Sequence, residues 1–169
     1  MPTSMSQLLE EVSRDHFPLP PATPEEIEAF EQQVGWRLDP DLRAFYLHCN
    51  GARLFKTPTD CPYWLLPLSK VVRARVAIFG KRNDDDAHGP ASVYALCDVQ
   101  DGNYVLVDVA HQENGLYPLI DGDHEAWPDP AYCEQIASSF SEFLEEALRS
   151  KGRQFWLQRA SSRPLPPGG

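Results

Sequence analysis

The 169-residue sequence has no apolar run that could cross a bilayer. Its longest, Tyr63-Trp64-Leu65-Leu66-Pro67-Leu68, is far short of the ~20 residues a spanning helix needs. No secretory leader is expected, because Glu10, Glu11 and Arg14 stand where an apolar h-region would lie. No two cysteines have the C-x-x-C spacing: Cys49, Cys61, Cys97 and Cys133 are far apart, and they read as buried thiols in a reducing compartment rather than as a disulfide or zinc framework. There is no H-E-x-x-H, no glycine-rich phosphate loop, no Ser-His-Asp order and no internal repeat. A hydrolase assembled from His88, His111 and Asp108 is therefore a remote reading. No catalytic residue, metal or cofactor is expected, and the expected location is the cytoplasm, away from membranes.

The most telling shortage is of positive charge. From Asn83 to Leu148 there is no Lys or Arg, while fifteen acids fall in the same stretch. Lys70 to Arg82 is the reverse, with five basic residues and no acid. The net charge of −10 argues against direct nucleic-acid binding, which wants a basic face. It suits solubility or a basic protein partner.

What is present describes a globular domain. Hydrophobic residues make up 42% and charged residues 24%, both ordinary for a soluble fold. The length fits one domain, which we place at 1–158. The stretch Ser161-Ser162-Arg163-Pro164-Leu165-Pro166-Pro167-Gly168-Gly169 has too little to bury, so 159–169 is expected to be disordered. The 16 prolines sit at segment borders and announce turns.

Helices announce themselves by stripes and caps. Met5, Leu8, Leu9 and Val12 make one apolar face over 5–16. Thr23 caps a second helix, with Pro24 in its first turn, Glu26 completing a capping box, and Gly35 stopping it. Asp39 and Pro40 start a third, striped by Leu42, Phe45, Tyr46 and Cys49, and Asn50-Gly51 ends it as a helix stop rather than a ligand contact. Ser139 and Glu142 open a last helix over Phe140, Phe143, Leu144, Ala147 and Leu148. Strands are expected at 63–68, 76–79, 92–98, 104–109 and 116–120, with a short helix or turn near 69–74. Asp101-Gly102 joins the third and fourth strands as a hairpin. Both faces of that pair are largely apolar, so it is expected to lie centrally, covered on both sides.

Two acidic segments are the candidate binding residues. Asp84, Asp85 and Asp86, followed by His88, read as a solvated loop or as a patch that steers a basic partner. Three consecutive carboxylates converge poorly on a metal. Asp121, Asp123 and Glu125 lack the spacing of a calcium loop and read as a polar turn or a partner contact. Trp127 follows them and reads equally as a plug at the core edge or as an aromatic anchor for a partner. Glu31 is either a buried carboxylate tied to backbone N–H groups or a surface residue.

Several of these segments, taken in order, resemble the SUKH superfamily (the Smi/Knr-type domain). They are Glu25-Glu26-Ile27-Glu28-Ala29-Phe30-Glu31, Leu38-Asp39-Pro40-Asp41-Leu42, Asn50-Gly51, Leu66-Pro67-Leu68, the Asp98–Asp108 hairpin, and Ile136-Ala137-Ser138-Ser139-Phe140-Ser141-Glu142-Phe143-Leu144. The likeness covers roughly residues 20 to 148. It departs at Leu38-Asp39-Pro40 and at Ala52, where a second glycine is usual. The resemblance implies an α+β fold: an antiparallel-rich central sheet with N-terminal helices and a C-terminal helix packed on it. It also implies a non-catalytic immunity protein of polymorphic toxin systems, which neutralises a cognate toxin domain of nuclease or deaminase type; the chain is expected to be a monomer. In this chain the toxin would be a basic domain met by the acidic surface. The alternative is a regulatory or scaffolding domain with an endogenous partner.

Overall fold

The computed structural model describes residues 3–100, 102–123, 125, 127–129 and 133–157. The expected 159–169 tail, His124 and Tyr132 lie outside the described residues.

Among the described residues, seven strands make an open antiparallel sheet and five α-helices add a helical layer. The helices are α1 (Met5–Asp15), α2 (Pro24–Val34), α3 (Pro40–His48), α4 (Ala74–Phe79) and α5 (Phe140–Arg149). The strands are β1 (Phe17–Pro18), β2 (Ala52–Leu54), β3 (Tyr63–Leu65), β4 (Val93–Asp98), β5 (Tyr104–Asp108), β6 (Leu119–Gly122) and β7 (Gln135–Ala137). The sheet order is β1-β2-β3-β4-β5-β6-β7, every pair antiparallel. The expected α+β architecture is what forms.

Helix starts follow the cap chemistry. The Thr23 hydroxyl accepts from Glu26 N–H at 3.1 Å, and the Glu26 carboxylate accepts from Thr23 N–H at 3.1 Å. Gly35 ends α2 at φ +82°, a conformation open to glycine without a Cβ penalty. In α5 the Ser139 hydroxyl accepts from Glu142 N–H at 3.2 Å, but the Glu142 carboxylate turns to Ser138, taking its hydroxyl at 2.6 Å.

One side of the sheet carries the core. Tyr63, Leu65, Ala52, Leu54, Cys97 and Val105 are buried there beside Phe45, Phe140, Phe143 and Trp156. Tyr63 meets Phe143 and Trp156 edge-on, at 6.0 and 6.2 Å between centroids. The central β4–β5 pair is buried on both faces except at its ends. Cys49, Cys97 and Cys133 are buried free thiols and Cys61 is half-buried; burial pushes Cys49 up to about 12 and Cys133 up to about 11.

The strand expected at 76–79 is instead the helix α4. Four apolar residues do not by themselves separate a strand from a buried helical turn. Helical here, the segment lets Arg75 swing its guanidinium toward the chain that follows, where a strand would have buried it in the sheet. β1, β2 and β7 went unseen because two or three residues carry no readable alternation.

Among the described residues no helix is long and apolar enough to cross a membrane.

Candidate partner-binding face

The triplet Asp84, Asp85 and Asp86 lies in the loop between α4 and β4, and α4 supplies its counter-charges. Arg75, only 5% exposed, donates from Nε to the Asp84 carboxylate at 2.7 Å. Its Nη1 donates to the Asp86 carboxylate at 2.8 Å and to the Gly89 carbonyl at 3.0 Å. Arg73 Nη1 adds a bond to Asp84 at 3.1 Å. Asp85 caps a turn of 3₁₀ helix, accepting from Ala87 N–H at 3.0 Å and pairing with His88 Nδ1 at 2.9 Å. The Arg75 hydrogen bond holds the Asp84 carboxyl below its ordinary value, and the His88 bond does the same for Asp85.

So the triplet is not a free anionic patch. One buried guanidinium organises it, and the basic block just upstream is what answers it. The sequence shows the two blocks side by side; only the turn from α4 into the loop shows that they neutralise each other. Outward charge remains on Asp85 and Asp86, whose side chains are 55% and 93% exposed.

The second acidic segment follows β6. Glu125 N–H donates to the Asp123 carboxylate at 2.9 Å, and Trp127 N–H to the Asp123 carbonyl at 3.0 Å. Trp127 is 3% exposed. Its indole N–H reaches across to the His88 carbonyl at 2.8 Å, and its ring lies against Gly89, where a Cβ would fall 2.2 Å from the ring. Of the two readings of Trp127, the structure gives the plug. That plug also ties the two acidic loops together, since Trp127 follows Asp123 and Glu125 and touches His88 and Gly89.

Two features of this surface escaped sequence reasoning. Phe79, at the end of α4, is exposed and meets His88 edge-on at 5.3 Å. A depression of about 400 Å³ opens on the same helix, lined by Val34, Val71, Val76, Tyr94, Arg73, Lys81 and Asp84. A larger cleft of about 800 Å³ lies elsewhere, against Trp36, Arg37 and Arg43. It includes Glu31, whose carboxylate accepts the Leu38 N–H at 2.8 Å, so Glu31 is tied to the backbone as one alternative had it, but half-buried and not buried.

Asp121 sits on β6 with its backbone N–H bonded to the Glu134 carbonyl at 2.8 Å. Burial, with Asp123 and Glu134 adding repulsion, pushes its carboxyl up to about 6 from 3.8. A carboxyl raised in the folded state binds its proton more tightly there than in the unfolded chain. Its ionisation therefore removes stability as pH rises from about 4 to about 6, and the loss is complete above that. Asp121→Asn is expected to raise stability at pH 7.5 by about 1 kcal/mol, after discounting for partial exposure, and to leave it unchanged at pH 4. Urea unfolding of both proteins at the two pH values checks this.

Among the described residues no group of three or more His, Cys, Asp or Glu is placed to hold a metal ion. Asp108 pairs with His111 at 2.7 Å in a surface turn, while His88 is taken by Asp85, so these groups do not converge as a catalytic set would.

Comparison with known proteins gives two findings. The family model described as SMI1/KNR4 family (SUKH-1) matches residues 21–146. A protein of Bacillus subtilis (strain 168) called immunity protein YokJ is 26% identical over 123 residues, covering 72% of each chain.

Proposed function

The chain belongs to the SMI1/KNR4 family (SUKH-1), and from that premise we propose that it is an immunity protein. It binds and neutralises a cognate bacterial toxin domain without catalysis, one toxin domain to each immunity chain, in the cytoplasm. The likeness to a protein named as an immunity protein supports the role. The observation that carries the choice of surface is the Trp127–His88 bond, because it joins both acidic segments and the exposed Phe79–His88 pair into one face.

A toxin domain with a basic cleft, of nuclease or deaminase type, fits this face. The exposed Asp85 and Asp86 and the segment Asp121–Glu125 supply long-range attraction. Phe79 supplies the apolar contact that sets residence time. Asp84 works behind them as a positioning residue through Arg75.

Replacing Asp85 and Asp86 together by Asn, with Asp84 kept to hold Arg75, is expected to slow association with the toxin about two- to fivefold at low ionic strength. Dissociation should change little, and the gap should close in high salt. Stopped-flow or surface-based kinetics at two salt concentrations read this out; an unchanged on-rate removes this pair from the steering surface. Deleting the gene tests the role itself. The loss should be lethal only in cells with an intact toxin gene, whereas a scaffold would show its phenotype in both backgrounds.

A further inference from the structure

The side of the sheet away from the helical core carries an ordered row of side chains. Phe17 stands opposite Arg53, Arg53 opposite Trp64, Trp64 opposite Asp98, and Asp98 opposite Tyr104. Directly opposed residues project from the same face. The row therefore crosses β1 to β5 as one line, about 19 Å long at a strand spacing of ~4.8 Å. None of its members is fully buried: Phe17 is 54% exposed and the other four are half-buried. Their neighbours along the strands, Ala52, Leu54, Tyr63, Leu65, Cys97 and Val105, point the other way and are buried.

The chemistry of the row is unfinished within one chain. The Arg53 guanidinium rests over the Trp64 indole, 4.8 Å from the ring centroid, and the Lys70 ammonium lies 5.8 Å from the same ring. Arg53 has no carboxylate partner among the described residues. Asp98 accepts the Gln100 N–H with one carboxylate oxygen at 2.9 Å; the other oxygen has no partner among the described residues. Trp, Tyr and Arg are also the residue types that dominate interface energetics.

The order along the row is aromatic, cation, indole, anion, aromatic. Read from the other end it is the same with the charges exchanged. A two-fold axis lying along β3 at Trp64, midway between two stacked sheets, sets Arg53 of each copy against Asp98 of the other. It sets Phe17 against Tyr104, again twice, and Trp64 against Trp64. This is what an isologous contact requires, since one patch must complement itself, and aligned sheets stack in this way. A foreign partner would have to carry the same order by chance, while a second copy carries it by construction. We infer that this row, at the partly exposed end of the face, is the interface of a homodimer, two copies stacked sheet to sheet about an axis at Trp64. The inference goes beyond the toxin-binding reading and replaces the monomer expected from sequence. The row crosses β4 at Asp98, and the Asp84–Gly89 loop leads into the other end of that strand at Val93.

Sedimentation velocity over a wide concentration range tests it on the full chain. The unmodified protein should pass from 19.1 kDa to twice that mass as concentration rises. Arg53→Asp alone and Asp98→Arg alone should each raise the dimer dissociation constant about ten- to hundredfold, since each places like charges together twice. The double variant R53D/D98R should restore the dimer, because it exchanges the two ends of the row. Melting curves of the variants identify any that misfold. The inference is overturned by the mass of a single chain at every concentration, by a dimer indifferent to both single changes, or by a double variant that folds and does not recover.

Discussion

Trp127→Ala should lower the unfolding free energy by about 3–5 kcal/mol, the range for removing a large buried aromatic. Three losses contribute. The apolar volume of a side chain 3% exposed disappears. The His88 carbonyl loses its indole donor. Gly89 loses the ring packed on its Cα, so the Asp84–Gly89 loop is left to Arg75, Arg73 and the Phe79–His88 contact. Trp127→Phe keeps most of the apolar contact and loses only the N–H, so its loss should be nearer 1–2 kcal/mol, about that of one hydrogen bond with some packing. Urea midpoints should rank wild type above Phe above Ala, and amide exchange at 85–89 should quicken in the same order. An aromatic that served only to anchor a partner would behave otherwise. Its removal would leave the midpoint in place and speed dissociation of the complex.

Gly51→Ala is the second large effect, expected at more than about 3 kcal/mol. Gly51 joins α3 to β2 at φ +97°, and a Cβ there would meet the Leu65 carbonyl oxygen at 2.7 Å and the Pro67 nitrogen at 2.9 Å. Both are backbone atoms of the neighbouring strand and its extension, which cannot move aside without opening the β2–β3 pairing. The preceding Asn50 tightens the same junction, its side-chain oxygen accepting the Leu68 N–H at 2.9 Å. Gly35→Ala is the internal control. Gly35 has a similar φ, +82°, but nothing lies within 4 Å of its Cβ position. That change should remove only about 1 kcal/mol of stability, from backbone strain. The difference between the two variants in urea unfolding isolates the clash.

Local chemistry made part of this fold legible. Thr23-Pro24 with Glu26, Asp39-Pro40 and Ser139 name helix starts because a cap depends on residues within three positions of one another. Asn50-Gly51 was readable as a stop for the same reason, though not its fit against Leu65. What escaped depends on distance along the chain. The pairing of Arg75 with Asp84 and Asp86 spans a turn that sequence charge counting treats as two separate blocks. Asp39 caps α3 and also accepts the Tyr117 N–H at 2.9 Å, a bond across 78 positions that no local pattern announces. The row from Phe17 to Tyr104 exists only through register, and register could not be read when β1 and β2 were too short to see. The charge surplus of the acidic stretch was visible, but which carboxylates face outward was not.

The strict order of the strands has a bearing on the timing of synthesis. Each of β1 to β7 pairs with the next one made, so the sheet can grow hairpin by hairpin as the chain leaves the ribosome. α1 cannot follow that schedule. It is the first of these helices synthesised, and it packs both on α3 and on the last: Arg149 of α5 bonds Glu11 at 2.8 Å, and Thr3 bonds Glu145. Until α5 emerges, Leu8, Leu9 and Val12 have only part of their cover. The contact between α1 and α5 can close only once α5 is made, so a nascent chain gains its complete core only when translation of the domain has ended.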